Sequence, residues 1–312
     1  MKRRLLGATG ITFSEIGLGA WQLANTDWGV YDRAEALRVV QQALDAGCDF
    51  FDTAPPYGGG RSETLLGRAL AEVRPSVTIC TKFGHSAEFP PTNFDVAALR
   101  PSLEASLRRL RTDYVDVLLL HNPPVELMDG MRAPHYEEME QLKTEGKLRV
   151  YGVSLGNSRD LKTVLETTGS GAIEVTFNVF HQEPRAAFRC AQERGVGLIV
   201  NVPLDSGWLS GKYRGDSRFT GVRRRWSPDV ITRRARLVEQ VAALVPPGVS
   251  LAHAALRYVL AQPEVSTVIP GAKTVAQVRE NAAAGDGRLP DDVVRALDAL
   301  WERELRGYPL PW

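Results

Sequence analysis

Apolar positions along the chain fall into two alternating patterns. One is a short run of consecutive apolar residues; the other is a longer stretch in which they recur every three or four. The first complete unit begins at Asp32, which with Glu35 predicts a capping box. Leu37, Val40 and Leu44 then share one helical face, and Gly47 is placed to stop the helix. The compact run "CDFFDT" follows at once.

The alternation continues to the far end. "SVTICTK" precedes a helix predicted near 95–110, and "YVDVLLLH" precedes one near 134–145. "LRVYGVS" leads into a helix over about 158–168, and "AIEVTFN" into one beginning near Pro184. "VGLIVNVPL" opens a long irregular segment, then helices around Thr232 and Ser250; "VSTVIPG" precedes a helix from about Val275. With an early strand over 15–18, eight strands are predicted. Runs such as "DVLLL" are apolar at consecutive positions, as in strands covered on both faces of a parallel sheet. Eight such units predict a (β/α)8 TIM barrel, one domain over 1–312, with a doubly wound sheet as the alternative. An N-terminal β-hairpin turning at Gly10 falls outside the barrel count. The C-terminal tail "RGYPLPW" is too rich in proline for a helix and is expected over the surface or near the barrel mouth.

Composition narrows the function classes. Of 312 residues 44% are hydrophobic and 24% charged, enough for a large core. The net charge of +1 calls for neither nucleic acid nor an acidic membrane. The basic cluster of Arg223, Arg224, Arg225, Arg233, Arg234 and Arg236 reads as a solvated loop and helix face, with an anion site as the alternative. No run approaches the roughly 18 apolar residues of a membrane span, and the first residues do not form a signal peptide. Cys48, Cys80 and Cys190 are odd in number and far apart, matching neither a disulfide framework nor a zinc site. Reduced core thiols, no metal and a cytoplasmic protein are the expectations.

In a barrel, reactive groups collect where strands end. Asp52, Lys82 and His121 close three successive apolar runs, and Tyr57 follows Asp52 in a rigid, exposed turn of prolines and glycines. Alone, each has a bland role: a loop cap, a turn residue, a solvated lysine, a backbone-bonded histidine. Together they suggest carbonyl reduction. A phenol is a poor acid near neutrality, its reference pKa being about 10. A neighbouring ammonium favours the phenolate, so Lys82 is expected to make Tyr57 a better proton donor, with Asp52 holding Lys82. His121 could orient a substrate carbonyl. Nothing here attacks covalently, so the electrons must come from a carrier such as a nicotinamide.

The chain resembles the aldo-keto reductase family over nearly its whole length. The resemblance is carried by "GLGAW", "DTAPPYGGGRSETLLGRAL", "TK", "LLLHNP", "GVS", "PLDSGWLSGKY" and "IPGAKTVAQVREN", the second and last being the most specific. It implies a (β/α)8 barrel binding NADPH, sometimes NADH, in extended form without a Rossmann domain. No G-x-G-x-x-G lies here between a strand and a helix. It further implies a catalytic tetrad of Asp52, Tyr57, Lys82 and His121, with Tyr57 as general acid and Trp21, Tyr57 and His121 facing substrate. Lys273 would meet a 2′-phosphate, and Glu280 and Asn281 the adenine. Leu204, Ser206, Gly207 and Lys212 would cross the pyrophosphate, and Ser154 would bond the nicotinamide amide. Gly19, Trp21, Asp52, Glu174, Gly271 and Gln277 complete the implied cofactor contacts.

Four positions depart from the family pattern. Leu155 stands where asparagine is common, and Glu174 where glutamine is common. Asn201 replaces an aromatic residue, and Gln277 an arginine. Trp28, His85, Phe89, Tyr308 and Trp312 are further candidates for the substrate mouth, whose small-molecule carbonyl or alcohol is not specified by sequence. The alternative function is a nicotinamide-binding regulatory or partner-docking protein on the same barrel, similar to potassium-channel β subunits. Oligomeric state is open.

Overall fold

A computed structural model describes residues 1–24, 32–85 and 92–311. Two strands, β1 (Arg3–Leu5) and β2 (Thr12–Ser14), pair antiparallel as an N-terminal hairpin. Eight more run parallel in one sheet: β3 (Leu18–Gly19), β4 (Phe50–Asp52), β5 (Thr78–Phe83), β6 (Val115–His121), β7 (Leu148–Leu155), β8 (Ala172–Thr176), β9 (Gly197–Asn201) and β10 (Val265–Val268). Their order in space is their order in sequence. Parallel bridges from Ile16 to Val268 and from Gly19 to Gly271 bring the last strand against the first, giving the predicted (β/α)8 barrel.

Helices α1 (Arg33–Asp45), α2 (Arg61–Ala69), α3 (Leu99–Leu110), α4 (His135–Thr144) and α5 (Ser158–Thr167) alternate with the first strands. Helices α6 (Phe188–Glu193), α7 (Pro228–Leu244), α8 (Leu251–Leu260), α9 (Val275–Ala283) and α10 (Asp291–Glu304) complete the outer layer. Their starts follow side-chain chemistry: Asp32, Asn157, Ser227, Ser250 and Thr274 each accept a hydrogen bond from a first-turn backbone N–H. The predicted capping box is only half formed, because Glu35 pairs with Arg38 rather than turning back to the cap. Gly47 adopts φ +80° past the end of α1, as its placement predicts.

Two expectations need correction. The first barrel strand is shorter and later than 15–18, because that stretch meets β10 only through single bridges. Helix α10 has no counterpart among the predicted elements, although Val293, Leu297 and Leu300 recur at helical spacing and are buried.

The core has two layers. Leu6, Ile11 and Phe13 of the hairpin pack with Phe50, Val117, Leu119, Ile199 and Ile269 inside the barrel. Phe13 meets Phe50 edge to face at 4.8 Å, so the hairpin plugs one end. Alternate strand residues, including Phe51, Leu118, Leu120 and Val153, face the helices in the larger outer core. The barrel is thereby solid, with its open mouth at the C-terminal ends of the strands. No helix among the described residues is long and apolar enough to cross a membrane.

Candidate active site

The strand ends carry the polar residues. Parallel pairing sets Asp52 beside Cys80, His121 beside Ser154, and Ser154 beside Glu174, while Thr176 pairs with Asn201. All of these except Cys80, which packs in the inner core, line the mouth, at heights fixed by the register of the barrel.

The loop after β4 explains its glycines. Gly58, Gly59 and Gly60 hold φ of 62°, 64° and 80°, a conformation that ordinary residues rarely adopt. A Cβ on Gly58 would meet the Ala24 carbonyl oxygen at 2.3 Å. Ser62 then donates to the Ala20 carbonyl, tying the loop to β3. Buried Glu63 accepts from Thr81 at 2.6 Å and from Arg109 at 2.6 Å, so α2 is bound to β5 next to Lys82. Tyr57 is thus fixed from both sides. It is half-buried rather than exposed, with Trp21 stacked 6.0 Å away and His121 edge-on at 5.9 Å.

Behind Tyr57 lies a buried ion cluster. The Lys82 ammonium is 2.5 Å from Asp52 Oδ1, 3.1 Å from Glu174 Oε2 and 5.4 Å from the centre of the Tyr57 ring. It also donates to the Thr53 carbonyl. Glu174 Oε1 accepts from Asn201 at 2.7 Å and from Ser154 at 3.1 Å. Donor atoms of Asp52, Cys80 and Glu174 lie within 4.8 Å of one another, a spacing suited to an ion; the Lys82 ammonium supplies the positive charge there.

The electrostatics differ from the sequence expectation at one point. Burial raises Tyr57 above the phenol range; Lys82 pulls down as expected, but Asp52 and Glu174 push up. Tyr57 is therefore a weaker acid than a free phenol, because the sequence argument left out burial and the second carboxylate. Burial and then Glu174 raise Asp52 to about 8 against the pull of Lys82. Burial disfavours the Lys82 ammonium, yet Asp52 and Glu174 outweigh it and hold its pKa well above the lysine range. Burial, Lys82 and His85 hold His121 well below the histidine range, so its imidazole is neutral with one N–H to donate.

From this cluster a cleft of about 560 Å³ runs to the far side of the mouth. Gly19, Trp21, Tyr57, His121, Ser154 and Glu174 line it. So do Leu204, Ser206, Gly207 and Lys212, and Gly271, Lys273, Gln277, Glu280 and Asn281, with Gly271 bridged to Gly19. The sequence candidates are thus gathered around one cleft. Gln277 accepts from the Lys273 backbone N–H at 2.8 Å, and Asn281 donates to the Gly271 carbonyl. Leu155 packs in the outer core and does not line the cleft. A larger cleft of about 810 Å³ lies at the plugged end, where Arg4 is taken up by Glu15 and by the Leu260 and Val265 carbonyls.

The arginine cluster matches its expectation of a solvated face only in part: Arg224, Arg225 and Arg236 are exposed, whereas Arg223 and Arg233 are half-buried. Arg223 and Arg225 line the cleft, and Arg223 donates to the Ser206 carbonyl at 2.9 Å. Arg234 is fully buried. Sequence counted these charges but did not show the segment folding over the mouth. Among the further mouth candidates, His85 stands 5.0 Å from His121, ring to ring. Tyr308 is exposed, lies against Arg233 and does not line the cleft. Trp28, Phe89 and Trp312 lie outside the described residues.

Comparison with known proteins adds family and fold. The model of the Aldo/keto reductase family matches residues 15–302. The L-galactose dehydrogenase of Arabidopsis thaliana is 32% identical over 90% of this chain and 87% of its own. A protein of the same plant described as "Probable voltage-gated potassium channel subunit beta" is 30% identical over 92% of each. The holo form of an aldo-keto reductase from Bacillus halodurans superposes with a TM-score of 0.82, at 28% identity and 96% coverage of both chains.

Proposed function

The chain belongs to the aldo/keto reductase family, and on that premise we propose that it reduces an aldehyde or ketone to the alcohol, or runs the reverse, with Tyr57 as the general acid or base. The observation that carries this is the convergence of Tyr57 and His121 on a cleft that Lys212, Arg223 and Lys273 also line.

The donor set fits a nicotinamide dinucleotide. Lys212, Lys273 and Arg223 all line the cleft, close enough together that each lysine is depressed by burial and then by Arg223. Such crowding of like charge is relieved by phosphates. Lys273 would hold a 2′-phosphate, which favours NADPH, and NADH would forgo that contact. Glu280 and Asn281 would flank the adenine; Leu204, Ser206 and Gly207 would cover the pyrophosphate. Ser154 and Asn201 would border the carboxamide. When bound, the nicotinamide supplies the hydride for reduction or accepts it in oxidation.

The protein's own groups handle the carbonyl oxygen. The neutral His121 imidazole donates to it and fixes its position. Tyr57 delivers its proton as charge grows on that oxygen, an acceptor more basic than a phenolate. Lys82 stabilises the phenolate that remains, and Asp52 keeps Lys82 in place. Trp21, stacked on Tyr57, closes one side against water.

The test is turnover. Purified protein mixed with NADPH or NADH and a panel of sugars, aromatic aldehydes and aliphatic ketones should oxidise the reduced cofactor, followed by its absorbance. Tight cofactor binding with no turnover across the panel would instead favour a docking or regulatory protein.

A further inference from the structure

The buried cluster holds two carboxylates and one ammonium. Glu174 is aimed at the ammonium by its surroundings: Asn201 on β9 and Ser154 on β7 both donate to Oε1, which leaves Oε2 facing Lys82 at 3.1 Å. Both side chains are buried, Lys82 to 0% and Glu174 to 3% exposure. We propose that Glu174 is a second counter-ion of Lys82, a positioning residue that holds the ammonium in place jointly with Asp52. The proposal deepens the reductase reading above and rests on it.

The charge count supports this role. A carboxamide at position 174 would leave Asp52 and Lys82 as a neutral pair. With Glu174 the cluster is one negative charge in excess, in a site where an unbalanced charge is costly. The groups facing it do not restore balance. Tyr57 in the loop, Cys80 on β5 and His121 on β6 are all held neutral by burial first. Ser154 and Asn201 carry no charge. The excess is relieved by a proton on Asp52, which burial and Glu174 raise to about 8.

The stability consequence has a definite sign. The native protein keeps the Asp52 proton up to about pH 8, whereas the unfolded chain releases it near the usual 3.8. Between those limits the native state binds more protons, so stability falls as pH rises. Removing the negative charge of Glu174 removes one of the two causes and shrinks that fall.

The experiment is urea unfolding of the cofactor-free protein from about pH 7 to about pH 9, above the pH at which His121 of the unfolded chain takes up its proton. Wild type, Glu174→Gln, Asp52→Asn and the double variant are compared, and turnover and cofactor binding are measured alongside. The wild-type midpoint should drop across this range, and the Glu174→Gln midpoint by less than half as much. Each single variant keeps one counter-ion and folds; the double variant strands Lys82 and should lose more than the two single losses added. Should Glu174→Gln not fold, Asp52→Asn carries the same test, since it removes the titrating group and retains Glu174. An unchanged pH dependence in the single variants, or an additive double variant, overturns the proposal. Because unfolding needs no substrate, wild type that never turns over would count against the reductase reading and leave the unfolding result to judge Glu174.

Discussion

Arg234 and Asp205 form an ion pair from which water is excluded, with the guanidinium 0% and the carboxylate 1% exposed. The same guanidinium donates to the Pro311 carbonyl at 2.9 Å, so α7, the C-terminal tail and the loop after β9 meet on one side chain. Asp205 and Ser206 hold φ of 45° and 54°, a conformation costing ~1–3 kcal/mol per non-glycine residue. The pair holds the loop in that shape. Asp205→Asn leaves a buried cation uncompensated and should lower stability by about 3–5 kcal/mol, read as a urea midpoint. Cofactor affinity should fall too, since Ser206 and Gly207 line the cleft.

Tyr57→Phe should lower turnover by about 100- to 10,000-fold, the range for loss of a positioned general acid. Tryptophan fluorescence titration should show cofactor binding within a few-fold of wild type. A variant that turns over at the wild-type rate removes Tyr57 from the proton-transfer role.

The two directions of the reaction should respond oppositely to pH. Burial keeps the Tyr57 proton in place beyond the phenol range, despite Lys82. Reduction, which uses that proton, should hold its rate into alkaline solution. Oxidation, which needs the phenolate, should climb with pH throughout. Rate profiles in both directions check this.

His121 sets an acid limit on stability. The unfolded chain takes up a proton near 6.5, which the native imidazole refuses until well below it. The contribution of His121 to stability is therefore full above about pH 6.5 and is lost as pH falls towards the lowered native value, against the opposite trend set by Asp52. Relative to wild type, His121→Asn should gain Tm as pH falls from about 6.5 to 5.

Lys273→Met should weaken NADPH binding by roughly 10- to 100-fold, the loss of one charge-assisted contact, and change NADH binding little. Arg223→Leu should weaken both, because Arg223 also supports the Ser206 backbone. Equal weakening by Lys273→Met would show that Lys273 does not meet a 2′-phosphate.

Much of the fold was legible because consecutive apolar runs and 3.6-residue periods alternate along this chain. "DVLLL" and the Leu37, Val40, Leu44 face are unambiguous in type. Helix α10 obeys the same rule and was missed for lack of a strand ahead of it. Asp52, Tyr57, Lys82 and His121 were legible as polar residues at strand ends. Asp52 was legible as a partner of Lys82, but Glu174 was not: residues 82 and 174 are brought together only by the fold, so a local motif cannot show their contact. The shift on Tyr57 had the same origin, since burial is a property of the folded whole. Arg223 and Arg234 show the limit most plainly, being near neighbours in a basic run yet placed one at a cleft and the other in the core.

The plugged end of the barrel also sets a timetable for the chain. Arg4 finds its acceptors at Leu260 and Val265, and Ile16 its partner at Val268. Arg4 thus awaits partners 256 and 261 positions further along the chain. Until then the hairpin has no floor to seal, and apolar strand faces meant for a closed ring stand open. Contacts of such sequence separation form slowly and leave intermediates prone to aggregation. Shortening the chain before β10 would therefore cost more than the residues removed: it would leave the opening hairpin with nothing to close.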